Sequence, residues 1–178
     1  MRGTHGFLRR KGILIGVLLI AAAAAVFVVP AFGDLTVSNS AESVEAFLED
    51  WNGQDVTVVK TARVGRIKAV LYENETGQLG VNVFERRLFG LRWKHDGMNL
   101  YDEDGTLYMC GRWTEGGLRG SRCDVVVCGD NRGGEVLSYA IPDAGIEDTY
   151  VPVQYVLDIY ILDGIEALPQ TLQQERAG

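Results

Sequence analysis

The sequence predicts a mainly β, α+β fold behind an N-terminal apolar span. One short amphipathic helix is expected to pack on a curved antiparallel sheet of about seven or eight strands, with a closed β-barrel as the alternative. Three observations carry this expectation. A basic cluster precedes an uncharged run from Gly12 to Gly33. Only one stretch, around Val44 to Trp51, has helical apolar spacing in the remainder. Most of residues 56–162 consists of β-branched or alternating segments separated by Gly, Asn and Asp turn signals.

The leader comes first in the chain. Arg2, Arg9, Arg10 and Lys11 flank Ile13–Ile20 and a five-alanine stretch, and the first acid is Asp34. A helix of about 20 apolar residues crosses a hydrocarbon core of about 30 Å. Positive charge before it keeps the N-terminus in the cytoplasm. Residues 1–33 are therefore read as a cytoplasmic flank and single membrane anchor, with the C-terminal domain outside. The alternative is a cleaved signal: Pro30 ends the helix and Ala31-Phe32-Gly33 offers small residues at a cleavage site, which gives a secreted protein starting after Gly33.

Residues 34–168 make one extracytoplasmic domain, and residues 169–178 read as a disordered tail. Residues 34–40 form a polar linker. Val44, Phe47, Leu48 and Trp51 then fall on one helical stripe, with Asn39 and Glu42 resembling a capping box and Gly53 a stop. Residues 56–64 follow as a strand. The clearest hairpin joins Ile67–Glu73 to Leu79–Glu85 around Asn74–Gln78. Leu91–His95 is the next strand, and Thr106–Trp113 pairs with Arg122–Cys128. Glu135–Ile141 follows another turn. Val151–Leu162 is almost continuously apolar, as a central strand would be.

Charge bounds the partners. Residues 34–178 hold 13 basic and 24 acidic residues, a net −11, which argues against nucleic acid as a partner. Residues 60–95 are the exception, with eight bases against three acids. Within them Glu85–Lys94 interleaves bases with aromatics. Arg86, Arg87, Arg92, Trp93 and Lys94 form a candidate surface for an anionic ligand, because guanidinium grips carboxylate or phosphate and indole gives a stacking face. Ordinary strand alternation, with the aromatics inward, explains the same residues without a ligand.

Three cysteines sit in a domain exported to a disulfide-permissive space. A two-residue turn at Gly116-Gly117 places Cys110 opposite Cys123, which makes them the candidate disulfide. Cys123 and Cys128 lie five apart on one strand and face opposite ways. No zinc spacing is present, and no cofactor or metal is expected.

Catalytic motifs are missing. His95, between Lys94 and Asp96, reads as a solvated strand-end residue, and Asp158 and Asp163 have no acid partner at a motif spacing. Asp102–Gly105 resembles the start of a calcium loop, but its glycine falls at the wrong position, so turn geometry explains it. The sequon Asn74-Glu75-Thr76 falls on a hairpin tip.

The strand sequences Ala69–Asn74, Gly80–Arg86, Leu88–Lys94, Val125–Asn131 and Tyr155–Leu162 are similar to those of small uncharacterised membrane-anchored proteins of Gram-positive bacteria. The resemblance spans most of residues 56–163 and implies an extracytoplasmic β-rich domain behind one span, without a known activity. Cys110 and Cys123 are not part of the pattern. The functional expectation is a non-enzymatic, membrane-tethered domain that binds a cell-envelope polymer or a protein partner. The alternative is an envelope hydrolase whose carboxylates meet only in the fold.

Overall fold

The computed structural model describes residues 15–20, 36–87, 92–97, 107–114, 121–131, 136–151 and 154–177. Residues 15–20 are helical, with Ile15, Val17, Leu18, Leu19 and Ile20 exposed. The rest of the expected span lies outside the described residues. Among those described, no helix is long and apolar enough to cross a membrane.

The remainder is one α-helix, a short 3-10 turn at Pro142–Ala144 and eleven strands among the described residues. The strands are β1 (Thr36–Val37), β2 (Val56–Val64), β3 (Ile67–Asn74), β4 (Leu79–Arg87), β5 (Arg92–Gly97), β6 (Leu107–Thr114), β7 (Arg122–Asp130), β8 (Val136–Ile141), β9 (Ile146–Val151), β10 (Tyr155–Asp163) and β11 (Gln173–Ala177). Helix α1 (Ala41–Asn52) lies between β1 and β2. The strands form three antiparallel sheets, ordered β1-β5-β4-β3-β2, β10-β7-β6 and β11-β8-β9. All three are open, which corrects both the single sheet and the closed barrel.

The layers follow from strand alternation. On β3 and β4, Ile67, Ala69, Leu71, Leu79, Val81 and Val83 point at the second sheet, where they meet Val126, Cys128, Leu157 and Ile159. Their alternates Val70, Tyr72 and Phe84 point the other way, onto Val44 and Leu48 of α1 and onto Trp93. On β7, Val125 and Val127 face the third sheet and pack on Leu137, Tyr139, Ile141 and Val151. The order is thus helix, first sheet, second sheet, third sheet.

This order explains the continuous apolar runs at Val125–Val127 and Val156–Leu157. The middle sheet is covered on both faces, so neither alternate needs to be polar. Residues 151–162, expected as one central strand, divide into the end of β9 and most of β10. β10 lies at an edge of its sheet and is apolar because of the layers above and below it.

Three boundaries differ from the sequence reading. Ser40, not Asn39, caps α1: its side chain accepts from Ser43 N–H, while Gly53 ends the helix at φ 69°. Residues 36–37, read as linker, pair with β5 as β1. The tail carries β11, which pairs with β8. Its Gln173, Gln174 and Glu175 are exposed, a polar composition that suits an edge strand as well as a loose tail.

Candidate functional site

The residues expected to form one anionic-ligand surface are distributed over two faces of the first sheet. Trp93 is fully buried under the α1 face, and its indole Nε1 donates to Asn39 Oδ1 at 3.0 Å. Arg86 lies directly opposite Trp93. Arg92 instead clamps β1, with Nη2 donating to Thr36 O at 2.8 Å and to its hydroxyl at 3.0 Å. Arg87 and Arg66 both pair with Glu85, at 2.9 Å and 2.6 Å. Lys94 is exposed opposite Glu85. Alternation divides the group, with Trp93 and Arg86 on the α1 side and Arg87, Arg92 and Lys94 on the other, all at one end of the first sheet.

A different grouping forms around the same indole. β2 and β3 are joined by a tight turn at Gly65-Arg66, with Gly65 at φ 56°, and the register places Arg63 directly opposite Lys68. Arg63 Cζ stands 4.8 Å and Lys68 Nζ 4.9 Å from the centre of the Trp93 ring. Lys68 is also 5.4 Å from the Phe84 ring and only 4% exposed. Burial, and then the Arg63 charge, bring its pKa down to about 8. Arg63, Lys68 and Lys94 make no ion pair with an acid among the described residues.

Beneath α1 runs a buried polar chain. His95 Nε2 is 2.7 Å from Asn82 Oδ1, Asn82 reaches the Tyr72 hydroxyl at 3.5 Å, and that hydroxyl donates to Asn52 Oδ1 at 3.2 Å. Asn52 Nδ2 closes the chain on Leu48 O at 2.7 Å. His95 is 5% exposed and enclosed by Phe47, Trp51 and Phe84, with ring centres 5.1, 4.6 and 5.5 Å away. It is therefore a core residue, not the solvated strand-end residue expected, and burial holds its pKa below the usual value. The groups in this chain, the two asparagines, the Tyr72 phenol and the Leu48 carbonyl, are neutral, and the arrangement fixes the helix on the sheet.

The three sheets also leave a cleft of about 420 Å³ where their outer strands β2, β10 and β9 converge. Lys60, Arg63, Thr149, Asp158 and Tyr160 supply its polar groups. Lys60 Nζ donates to the Tyr155 carbonyl at 3.0 Å, so that carbonyl points away from β7. The Tyr139 hydroxyl donates to Asp158 Oδ2 at 2.7 Å and lies 2.5 Å from the Tyr160 hydroxyl. Burial, followed by these two partners, pushes the Tyr139 pKa far above its ordinary value, so the phenol stays protonated. Asp158 is the one carboxylate on the described lining.

The cysteines fall on different faces. Residues 115–120, with the expected Gly116-Gly117 turn, lie outside the described residues. The flanking register pairs Thr114 with Arg122, so Cys110 faces Val126 and Cys123 faces Trp113. Cys110 and Cys128 lie on the side of the first sheet, while Cys123 faces the third. A Cys110–Cys123 bond is out of reach, and all three thiols are free. The Cys110 thiol donates to Val126 O, and a hydrogen bond with Cys128 lowers its pKa.

Asn74 organises its own turn. Its Oδ1 accepts from Thr76 N–H, Thr76 Oγ1 and Gln78 N–H at 3.0, 2.7 and 2.9 Å, and the side chain is buried. The Asp102–Gly105 stretch lies outside the described residues. Among those described, no group of His, Cys, Asp and Glu is placed to hold a metal.

Sequence reasoning missed Arg63, Lys68, Lys60 and the Tyr139–Asp158–Tyr160 group. Counting outward from Gly65-Arg66 would have paired Arg63 with Lys68. No local signal places Tyr139 beside Asp158, because they belong to different sheets. No family model, no curated protein and no solved structure matches this chain.

Proposed function

We propose that the chain is a non-enzymatic, membrane-tethered extracytoplasmic domain that binds an anionic component of the cell envelope at the basic end of the first sheet. One observation carries the reading. In a domain of net −11, Arg63, Lys68 and Lys94 stand without acidic partners among the described residues, beside Arg86, Arg87 and Arg92. Acids are abundant in this sequence, and local neutralisation would have been easy. The tether and the outward orientation rest on the basic flank and the uncharged run of residues 12–33.

The test uses the purified full chain against an anionic wall polymer and against phosphatidylglycerol vesicles. Retention at low salt that falls steeply by about 0.5 M salt is expected, with Lys94→Ala and Arg87→Ala each weakening it several-fold. Salt-independent retention, or none, overturns the reading. N-terminal sequencing of the mature protein separates an anchor from cleavage after Gly33.

A second reading has its own observation, the cleft between the outer edges of β2, β9 and β10. Such edges accept an extended segment of a protein partner by strand addition. Photocrosslinking from Thr149 in intact cells is expected to capture a protein, and an empty result removes this reading. The hydrolase alternative needs a second carboxylate facing Asp158, which the described lining does not supply.

A further inference from the structure

We infer that Arg63 and Lys68, held against the Trp93 indole, form a site for a single oxyanion, a phosphate or carboxylate group. This rests on the reading above and assigns it a place. Like charges directly opposite across a strand pair destabilise the pair, and here the register puts guanidinium and ammonium face to face. Buried charges are normally paired, yet Lys68 is 4% exposed and has no acid partner among the described residues. The aromatic rings of Trp93 and Phe84 compensate only in part. An oxyanion lying between the two cations removes both costs.

The geometry suits such a guest. Trp93 is fixed by its bond to Asn39 and by complete burial, so the surface that positions both cations does not move when a ligand arrives. Arg63 lies at the solvent side and presents a planar fork that matches two oxygens of a carboxylate or phosphate. Lys68, deeper, supplies a point charge to the same group. Arg86, opposite Trp93, adds positive potential from the neighbouring strand. Binding also raises the Lys68 pKa from its value of about 8, because an adjacent anion favours the ammonium form.

The experiment titrates inorganic phosphate, and separately acetate, into the purified full chain while NMR follows the ε-carbon of Lys68. Saturating phosphate is expected to raise the Lys68 pKa by about one unit or more. Arg63→Gln is expected to weaken phosphate binding about 10-fold, and Lys68→Met, followed by calorimetry instead, to weaken it at least as much. Acetate acting as strongly as phosphate assigns a carboxylate ligand, whereas preference for phosphate assigns a phosphorylated one. An unmoved Lys68 at saturating phosphate and acetate overturns the site, as does unchanged affinity in Arg63→Gln. The wider reading fails separately. Polymer retention unaffected by Arg63→Gln removes this site and leaves the binding function. A Lys68 response without polymer retention does the reverse.

Discussion

At the scale of single residues, Lys68 shows how a side chain can oppose the fold that holds it. In the unfolded chain its amine titrates near 10.5, and in the folded chain near 8. Below pH 8 both states are protonated, and the folded state bears the full cost of the buried charge. Between about 8 and 10.5 the unfolded chain binds the extra proton, so stability rises with pH across that window. A depression of this size corresponds to ~3 kcal/mol. Lys68→Met keeps the unbranched length and removes the charge, at the loss of a cation–π contact of about 1 kcal/mol. Urea unfolding at pH 7 is therefore expected to show the variant more stable by ~1–2 kcal/mol. The difference should vanish or reverse by pH 10.5. A wild-type-minus-variant difference that stays flat with pH contradicts the argument. Retaining a destabilising cation is what a binding site requires and a purely structural position does not.

At the scale of elements, the sequence was most legible where one strand face or one turn decides the outcome. The β3–β4 hairpin and the stripe Val44, Leu48 follow from spacing alone, and the β6–β7 pairing was right in its partners. Its register was not. A presumed turn at Gly116-Gly117 shifted Cys110 from its true partner Val126 to Cys123, and a shift of three residues reverses the face. His95 was misread for a related reason. It sits on a strand rich in charge and is buried by Phe47 and Trp51 of α1, whereas strand alternation already offered Trp93 as inward. Close approach between strands was likewise invisible. A Cβ on Gly80 would lie 2.4 Å from Tyr72 Cζ, and Tyr72 is fully buried with its hydroxyl tied to Asn52. Gly80→Ala is expected to cost ~1–3 kcal/mol in urea unfolding, because the ring has no free rotamer to retreat into. Adding Tyr72→Leu, which clears the space, should make the double variant less unstable than the sum of the two singles. Strict additivity would falsify the contact as the cause.

At the scale of the whole molecule, stacking three sheets creates a problem at the outermost layer. The third sheet has three short strands, and one of them, β11, follows a segment of residues 164–172 with no regular structure. What holds it is visible in the contacts. Leu168 and Leu172 pack against the core shared with β7, and Asp143 accepts from the backbone N–H of Gln170 and Thr171 at 3.1 and 3.0 Å. One amide then ties β11 to the start of β6, in addition to the Tyr139–Asp158 bond that also joins the two sheets. Gln174 Nε2 donates to Leu107 O at 2.7 Å, and its Oε1 accepts from Leu107 N–H at 3.2 Å. Leu107 is 3% exposed, so removing that amide leaves a donor and an acceptor poorly solvated at the start of β6. Gln174→Ala is expected to cost ~1–3 kcal/mol. Gln174→Glu, which keeps an acceptor and loses the donor, should be no better, since it sets a carboxylate against a carbonyl. Hydrogen exchange locates the effect: amides of β8 and β11 should exchange faster, while those of β3 and β4, two layers away, keep their protection. Uniform acceleration through all three sheets would mean that the stack unfolds as one unit and that the clip does not control the third layer.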